Sequence, residues 1–273
     1  MWIKFFLLVF VLMLSFSAPV SAETRISCIT TTEIRATGIL DYILPIFRKK
    51  TGITVELLAV GPKALMALAK QGYADVVFSG ARKVEIQAVQ QGDFVNRQDV
   101  MYDDFLIIAP PDDPAKIKDM KSATEAFRKI AENSHQFISR GDASYAHLKE
   151  LSIWKKTGID PKGKKWYLET QQDMPITQWI AFKNKAYVLV DRHTWVEGKE
   201  KHKIEMIPAL EGDPLLFHQY GVMALNPEKF KKAKNKEAME FINWLISKEG
   251  QQAIASYRDT HGNQLFFPNA VQL

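Results

Sequence analysis

The 273-residue chain contains a single cysteine, Cys28. A lone cysteine has no partner for an internal disulfide, so the fold cannot depend on a cross-link within the chain. Cys28 stands in the apolar run at residues 26–29. This position predicts a thiol buried in a core strand rather than a nucleophile.

Motifs of catalysis and cofactor binding are also missing. The chain has no H-E-x-x-H, no G-x-S-x-G and no phosphate-binding loop, and its six histidines are dispersed. Asp103 and Asp104 are adjacent carboxylates, but neighbouring residues of a strand point to opposite faces, which argues against a pair that shares a proton. We expect no enzyme, no cofactor and no metal site. The alternative of an enzyme requires a nucleophile and a base that meet in a cleft.

No large excess of either charge is present. The formal net charge is +5, and the short lysine-rich runs at residues 162–165 and 229–236 are interpreted as solvated faces. Many nucleic-acid-binding surfaces interleave basic residues with aromatic ones, and this sequence has no such motif. We therefore expect a small-molecule ligand and no nucleic-acid partner.

Long apolar runs are confined to the N-terminus. Lys4 precedes an apolar run at residues 5–16, which is short for a membrane span. Small residues then lead to Ala22, so the pattern predicts a cleavable signal peptide at residues 1–22 and a mature chain from Glu23. No cysteine directly follows the cleavage position, where Glu23 stands, so a lipoprotein is not expected. These features predict the periplasm, with an uncleaved anchor as the alternative.

Strand and helix patterns alternate three times after the signal segment. Periodicity and Gly/Pro punctuation predict strands at residues 25–29, 53–60 and 74–78, each followed by a helix, at 39–52, 63–71 and 82–91. Pro45 should bend or restart the first helix. Such a pattern predicts a parallel sheet that binds ligands at the carboxyl ends of its strands. The polar residues at these ends are Thr30, Thr31, Thr32, Lys63 and Arg82.

A second αβ unit interrupts the first. A long strand at residues 101–110 leads into it, and a strand at about 219–226 returns from it. Between them the patterns predict helices at 122–133, 144–157 and 174–183, and strands at 137–139, 165–168 and 186–190. Two more helices, at 236–246 and 247–257, end the chain. The expected fold is α/β with two lobes and two crossover strands that form a hinge. Lobe 1 comprises residues 23–107 and 217–273, and lobe 2 comprises residues 108–216.

The turn Ser-Arg-Gly-Asp at residues 139–142 is the strongest candidate for anion binding. Arg140 stands where a strand ends and a helix begins, and a helix N-terminus attracts anions. Ser144 and Tyr145 open that helix, and Asp191 ends a neighbouring strand. The alternatives are structural. Arg140 could tie loops together through Asp142 or Asp191, and Thr31, Thr32 and Ser144 could act only as helix caps. Lys63 and Arg82 could simply be solvated.

Several stretches together resemble the periplasmic tungstate-binding proteins of ABC transporters, which belong to the type II solute-binding proteins. These stretches are TTT at 30–32, GILDYILPIFRKKTGI at 38–53, VMYDDFLIIAP at 100–110, SRGD at 139–142, LVDRHTW at 189–195, EGDPLL at 211–216 and SKEGQQ at 247–252. The resemblance implies two αβ lobes, capture of an oxyanion and delivery to an ABC permease in the inner membrane. It also implies that Thr30, Thr31, Thr32 and Arg140 lie at the ligand. A monomer is expected.

Four turns depart from the family pattern. Glu33 replaces a small residue after the threonines, Pro62 precedes Lys63, Tyr145 follows Ser144, and Pro175 stands in a turn that is usually rich in glycine. Glu33 would repel a dianion if it faced the cleft, unless it pairs with Arg35 or Arg140. The hypothesis that follows is a larger organic anion, on which Tyr145, Trp166, Trp179 or Trp195 could stack. Tungstate or molybdate binding remains the alternative, as does a sensor or accessory protein on the same fold.

Overall fold

A computed structural model describes residues 23–270 of the chain, and the expected signal peptide at residues 1–22 lies outside them. The described strands are β1 (Thr24–Thr31), β2 (Ile53–Val60), β3 (Val76–Ser79), β4 (Phe94–Ala109), β5 (Phe137–Ser139), β6 (Tyr167–Glu169), β7 (Tyr187–Asp191), β8 (Ile207–Leu210), β9 (Phe217–Leu225) and β10 (Phe267–Pro268). The described helices are α1 (Thr32–Ala36), α2 (Ile39–Thr51), α3 (Pro62–Lys70), α4 (Arg82–Gln90), α5 (Ala123–Glu132), α6 (Tyr145–Thr157), α7 (Met174–Lys183), α8 (Arg192–His202), α9 (Asn235–Ile246) and α10 (Lys248–Ser256).

The strands form one continuous path with the order β2-β1-β3-β9-β4-β7-β5-β6. β1 is parallel to β2 and β3 on one side, and β5 is parallel to β6 and β7 on the other. In the centre, β4 and β9 are antiparallel to each other and connect the two groups. The predicted α/β class, the parallel-rich sheets and the two crossover strands are therefore confirmed.

Buried apolar side chains form separate cores on the two sides of the crossover. One core is built from residues between Phe105 and Leu216. The other two draw only on residues from Ile26 to Met101 and from Tyr220 to Phe266. This division gives the molecule two lobes, because each core packs its own helices against its own part of the sheet. The lobe boundaries at residues 107/108 and 216/217 stay predictions.

The first crossover strand is longer than the sequence predicts. β4 begins at Phe94, seven residues before the predicted start at Met101, and its pairing with β9 shifts register near Val95 and near Asp99. Such irregularities break the strict alternation of buried and exposed residues. The first residues of β4 therefore show no regular pattern that would have indicated a strand before Met101.

Three helical features also differ from the predictions. Thr31 caps a short helix, α1, where only a turn was expected; its Oγ1 accepts a hydrogen bond from the N–H of Ile34 at 3.3 Å. Helix α8 was missed, because its sequence carries few apolar residues. Pro45 does not restart α2, which continues from Ile39 to Thr51, and the predicted bend stays a prediction. Cys28 is fully buried as predicted, and burial raises the pKa of its thiol to about 12.

Candidate ligand-binding cleft

A cleft of about 410 Å³ lies between the two lobes, and residues of both lobes and both crossover strands line it. Thr31, Thr32 and Glu33 contribute from the end of β1 and the start of α1. The floor is formed by Asp103 and Phe105 of β4 and by His218 and Tyr220 of β9. The opposite wall includes Arg140, Ser144, Tyr145, Ala146, Asp173, Met174, Pro175, Asp191, His193, Thr194 and Glu197.

The SRGD turn presents Arg140 to this cleft. The guanidinium is largely buried and binds Asp142 through Nε (3.1 Å) and Nη2 (2.5 Å). Burial opposes ionisation of Asp142, but hydrogen bonds from Ser144 and the charge of Arg140 outweigh it and lower the pKa of the carboxyl. Only two of the five guanidinium N–H donors face Asp142, so Arg140 can tie the turn together and still offer donors to a ligand.

Three helices of the second lobe begin at the cleft. Their N-cap residues are Ser144, Asp173 and Asp191, and each side chain accepts a hydrogen bond from a backbone N–H of the first turn. Asp191 also accepts from Thr194 Oγ1 at 2.8 Å. Of the two partners considered for Arg140, the structure shows a bond to Asp142, while the bonds recorded for the Asp191 carboxylate in residues 23–270 come from Thr194. The positive ends of three helix dipoles face the cleft, where they favour negative charge.

Glu33 lies on the opposite side of the cleft, on α1. Its exposed carboxylate has one contact in the described part of the chain, a 3.4 Å hydrogen bond from Thr32 Oγ1. Neither predicted partner binds it, since Arg35 pairs with Asp41 and Arg140 with Asp142. The Glu33 carboxylate therefore adds negative charge to the cleft beside the threonines.

Asp103 and Asp104 point to opposite sides of β4, as predicted. Asp103 lies on the cleft floor, where it accepts a hydrogen bond from Tyr220 Oη at 2.7 Å and faces His218 Nδ1 at 3.3 Å. Asp104 forms a two-bond ion pair with Arg192 outside the cleft lining. Burial raises the pKa of Asp103, although bonds from His218 and Tyr220 oppose the shift.

Tyr145 spans the cleft. Its hydroxyl lies 3.3 Å from Ser79 Oγ at the end of β3, and its ring packs edge-on against His218 with a centroid distance of 5.4 Å. Burial raises the pKa of the phenol to about 12, so Tyr145 is a neutral donor and acceptor at physiological pH.

Six of the nine predicted site residues line the cleft: Thr31, Thr32, Arg140, Ser144, Tyr145 and Asp191. Thr30 is fully buried behind it, Lys63 is exposed on α3, and Arg82 is exposed on α4, where it pairs with Asp99. The three tryptophans proposed for stacking are also elsewhere. Trp195 belongs to the core of the second lobe, Trp166 packs against that core, and Trp179 lies on the surface beneath Lys183.

Sequence reasoning missed the crossover floor. His218 was interpreted as an isolated residue, and Tyr220 was not considered at all. Asp103 and His218 are 115 positions apart in the chain but are directly opposed in the β4–β9 register. The only available signal was the prediction that both strands cross between the lobes, and it does not specify the register.

Comparisons with known proteins agree with this geometry. Residues 17–249 match the PBP superfamily domain. The chain belongs to the PBP superfamily. Tungstate-binding protein TupA of Peptoclostridium acidaminophilum is 37% identical over 254 residues, which is 92% of this chain and 88% of that protein. These matches confirm the resemblance to tungstate-binding proteins.

Two solved structures extend the match to three dimensions. The tungstate-binding protein TupA from Desulfovibrio alaskensis has a TM-score of 0.87 at 34% identity, covering 91% of this chain and 100% of that chain. A structure described as the tungstate ABC transporter from Geobacter sulfurreducens has a TM-score of 0.75 at 42% identity, covering 86% and 100%. The PBP superfamily fold of this chain is therefore a type II binding-protein fold with two lobes.

No helix in residues 23–270 is long and apolar enough to cross a membrane. Within the same residues, no cluster of three or more His, Cys, Asp or Glu side chains could hold a metal ion. The family is one of solute-binding transport proteins.

Proposed function

We propose that this PBP superfamily member captures a small anion in the interlobe cleft and delivers it to an ABC permease. The observation that carries the proposal is the convergence of Arg140, three helix N-termini and the hydroxyls of Thr31 and Thr32 on one cleft. A buried anion needs several donors and a positive potential, and these groups supply both.

The ligand that we propose is an organic anion that also carries a hydrogen-bond donor, such as a hydroxyl. Glu33 supports this because its carboxylate lines the cleft with only a weak contact from Thr32 and can accept a bond from such a donor. Tyr145 supports it as well, since its ring and hydroxyl take up space and offer a flat surface. A bare tetrahedral dianion has no proton to give to Glu33 and would be repelled by it.

Tungstate or molybdate is the second candidate. It is favoured by two relatives described as tungstate-binding proteins, at 34% and 37% identity, and by a structure described as a tungstate ABC transporter, at 42% identity. The two candidates differ in what they require of Glu33. Removal of the Glu33 charge should strengthen the binding of an oxyanion dianion. The same change should weaken the binding of an anion that carries a hydrogen-bond donor.

Calorimetry on refolded, ligand-free protein tests both candidates with tungstate, molybdate and lactate as probes. We expect weak or no tungstate binding by the natural chain and at least roughly tenfold tighter tungstate binding by Glu33→Gln. Glu56→Gln, which removes an exposed carboxylate paired with Arg25 outside the cleft, is the matched control. Submicromolar tungstate binding by the natural chain would establish the second candidate.

Native mass spectrometry of protein purified gently from its source identifies a retained ligand directly. Delivery to a permease is tested separately, by ligand-dependent ATPase activity of the neighbouring transporter in vesicles. Ligand binding without any effect on ATPase activity would favour a sensor or accessory protein on the same fold.

A further inference from the structure

The two crossover strands hold a buried acid–base pair on the cleft floor. Asp103 of β4 and His218 of β9 are direct cross-strand partners, and each is less than a tenth exposed. His218 Nδ1 lies 3.3 Å from Asp103 Oδ1. Both residues line the cleft, so the charge of this pair acts on any anion that the cleft holds.

The contacts of the imidazole determine where its hydrogen atoms lie. His218 Nε2 is 3.1 Å from the carbonyl oxygen of Gly80, which can only accept, so Nε2 must carry a hydrogen. Asp103 Oδ2 already accepts from Tyr220, which leaves Oδ1 facing Nδ1. One further proton between Oδ1 and Nδ1 therefore makes the pair neutral, whether it resides on the imidazole or on the carboxyl.

Gly80 is required for this arrangement. A methyl group at Gly80 would lie 2.7 Å from His218 Cε1 and even closer to Nε2, below any normal contact distance. The backbone approaches the ring because no side chain intervenes, and this closeness fixes the orientation of the imidazole.

We propose that the Asp103–His218 pair determines which charge the cleft accepts, by binding an anion together with the proton that the pair shares. Loss of this proton leaves one negative charge on the cleft floor and expels the anion. The inference rests on the proposed anion site and adds to it a specific proton-linked step.

Other charged or titratable groups surround the pair, and the test must separate them from it. Burial raises the pKa of the neighbouring Tyr220 phenol, so it stays a neutral donor. Burial lowers the pKa of Lys149, although Asp103 opposes that shift. Some of these groups face the pair from packed elements, and others line the same cleft. They are Tyr220 on β9, Tyr145 and Lys149 on α6, Asp191, His193 and Glu197 at or in α8, Glu33 on α1, Arg140 of the SRGD turn, Asp173 before α7 and, through Tyr145, Glu85 on α4.

Asp103→Asn isolates the contribution of the pair. An asparagine amide can donate to a neutral His218 Nδ1 and still accept from Tyr220, so the variant keeps the polar contacts and removes the carboxylate charge of the pair. Asp104→Asn is the matched control, because Asp104 is the next residue of the same strand and pairs with Arg192 outside the cleft lining. A thermal melt of each variant establishes that it is folded.

The experiment measures the dissociation constant of tungstate, molybdate and lactate by calorimetry from about pH 6.5 to about pH 9.5, where these probes keep their own charge. For the natural chain and Asp104→Asn we expect at least a tenfold loss of affinity across this range, with uptake of about one proton in buffers of different ionisation enthalpy. For Asp103→Asn we expect a change below about threefold.

Binding by the natural chain that is independent of pH and takes up no proton would overturn the inference and leave the anion site intact. An equally steep pH dependence in Asp103→Asn would also overturn it and would assign the proton to a neighbouring group. Absence of binding by every probe at every pH would overturn the anion site itself.

Discussion

Tyr145 and Ser79 meet across the cleft, with the tyrosine hydroxyl 3.3 Å from the serine Oγ. Tyr145 begins α6 in the second lobe, and Ser79 ends β3 in the first. Another bond joins the same helix to the second crossover strand, since Lys149 Nζ donates to the carbonyl oxygen of Phe217 at 2.8 Å. Helix α6 therefore connects the lobes through the contacts of Tyr145 and Lys149.

Tyr145→Phe should open the cleft of the ligand-free protein. The variant loses a hydrogen bond worth about 0.5–1.5 kcal/mol, which shifts the ratio of open to closed molecules by roughly two- to twelvefold. Energy transfer between dyes on cysteines introduced at Lys49 and Lys155 reports the change, because both positions are exposed and Cys28 is buried. Tyr73→Phe, at a tyrosine that is 59% exposed, is the control and should leave the transfer efficiency unchanged. Equal efficiencies in all three proteins would show that the contact does not hold the lobes together.

Arg140→Ala should weaken anion binding by roughly two orders of magnitude, because it removes a largely buried charge-assisted donor. Arg140→Lys should recover only part of the loss, since an ammonium lacks the planar fork of a guanidinium. The measurement is calorimetry with the probe that the natural chain binds most tightly. Arg128→Ala, which breaks a surface pair with Glu125, is the control. Unchanged affinity in Arg140→Ala would reduce the role of Arg140 to holding the turn through Asp142.

Local sequence signals predicted the parts of this molecule that depend on neighbours in the chain. The SRGD turn lies between β5 and α6 as expected, because an apolar run, a glycine and a capping serine specify strand, turn and helix locally. Thr31 and Ser144 likewise act as the caps that their residue types favour.

Contacts between distant segments could not be predicted in this way. Arg82 has the same residue type and the same strand-end position as a ligand-binding arginine, but its partner is Asp99 on the irregular part of β4. The pairing of Asp103 with His218 depends on the register of two strands that no local pattern fixes. The tryptophans were assigned to the ligand from residue type alone, while their helices direct Trp195 into the core and Trp179 to the surface.

Gly80→Ala should destabilise the protein, by about 1–3 kcal/mol in the free energy of unfolding, because the added methyl group displaces the His218 ring. Gly61→Ala is the matched control. Gly61 also follows a strand of the first lobe, but its φ is −64° and no atom lies within 4 Å of an added Cβ. The control should change the free energy of unfolding by less than about 1 kcal/mol. Denaturant titrations measure both, and a Gly80→Ala variant as stable as Gly61→Ala would show that His218 is free to move.

Glu150 lies on α6, the helix that follows the SRGD turn. Its carboxyl is buried and its Oε1 accepts hydrogen bonds from Tyr167 Oη at 2.6 Å and Trp154 Nε1 at 3.0 Å. Burial raises its pKa from 4.5 to about 7, although these bonds oppose the shift. Because the folded protein holds this proton more tightly than the unfolded chain, the resulting stability is fully present below about pH 4.5 and is lost as pH rises through about 7.

Glu150→Gln should therefore flatten the pH dependence of unfolding. The amide oxygen can accept the same two bonds and does not ionise, so the variant avoids a loss that is on the order of 3 kcal/mol between about pH 4.5 and pH 8. Denaturant titrations at intervals of pH compare the natural chain, Glu150→Gln and the control Glu132→Gln, which changes an exposed glutamate on α5. The control should keep the slope of the natural chain. If the stability of Glu150→Gln depends on pH as steeply as that of the natural chain, the Glu150 carboxyl is not protonated in the folded protein. Helix α6, which carries Tyr145, then contains a buried charged carboxylate.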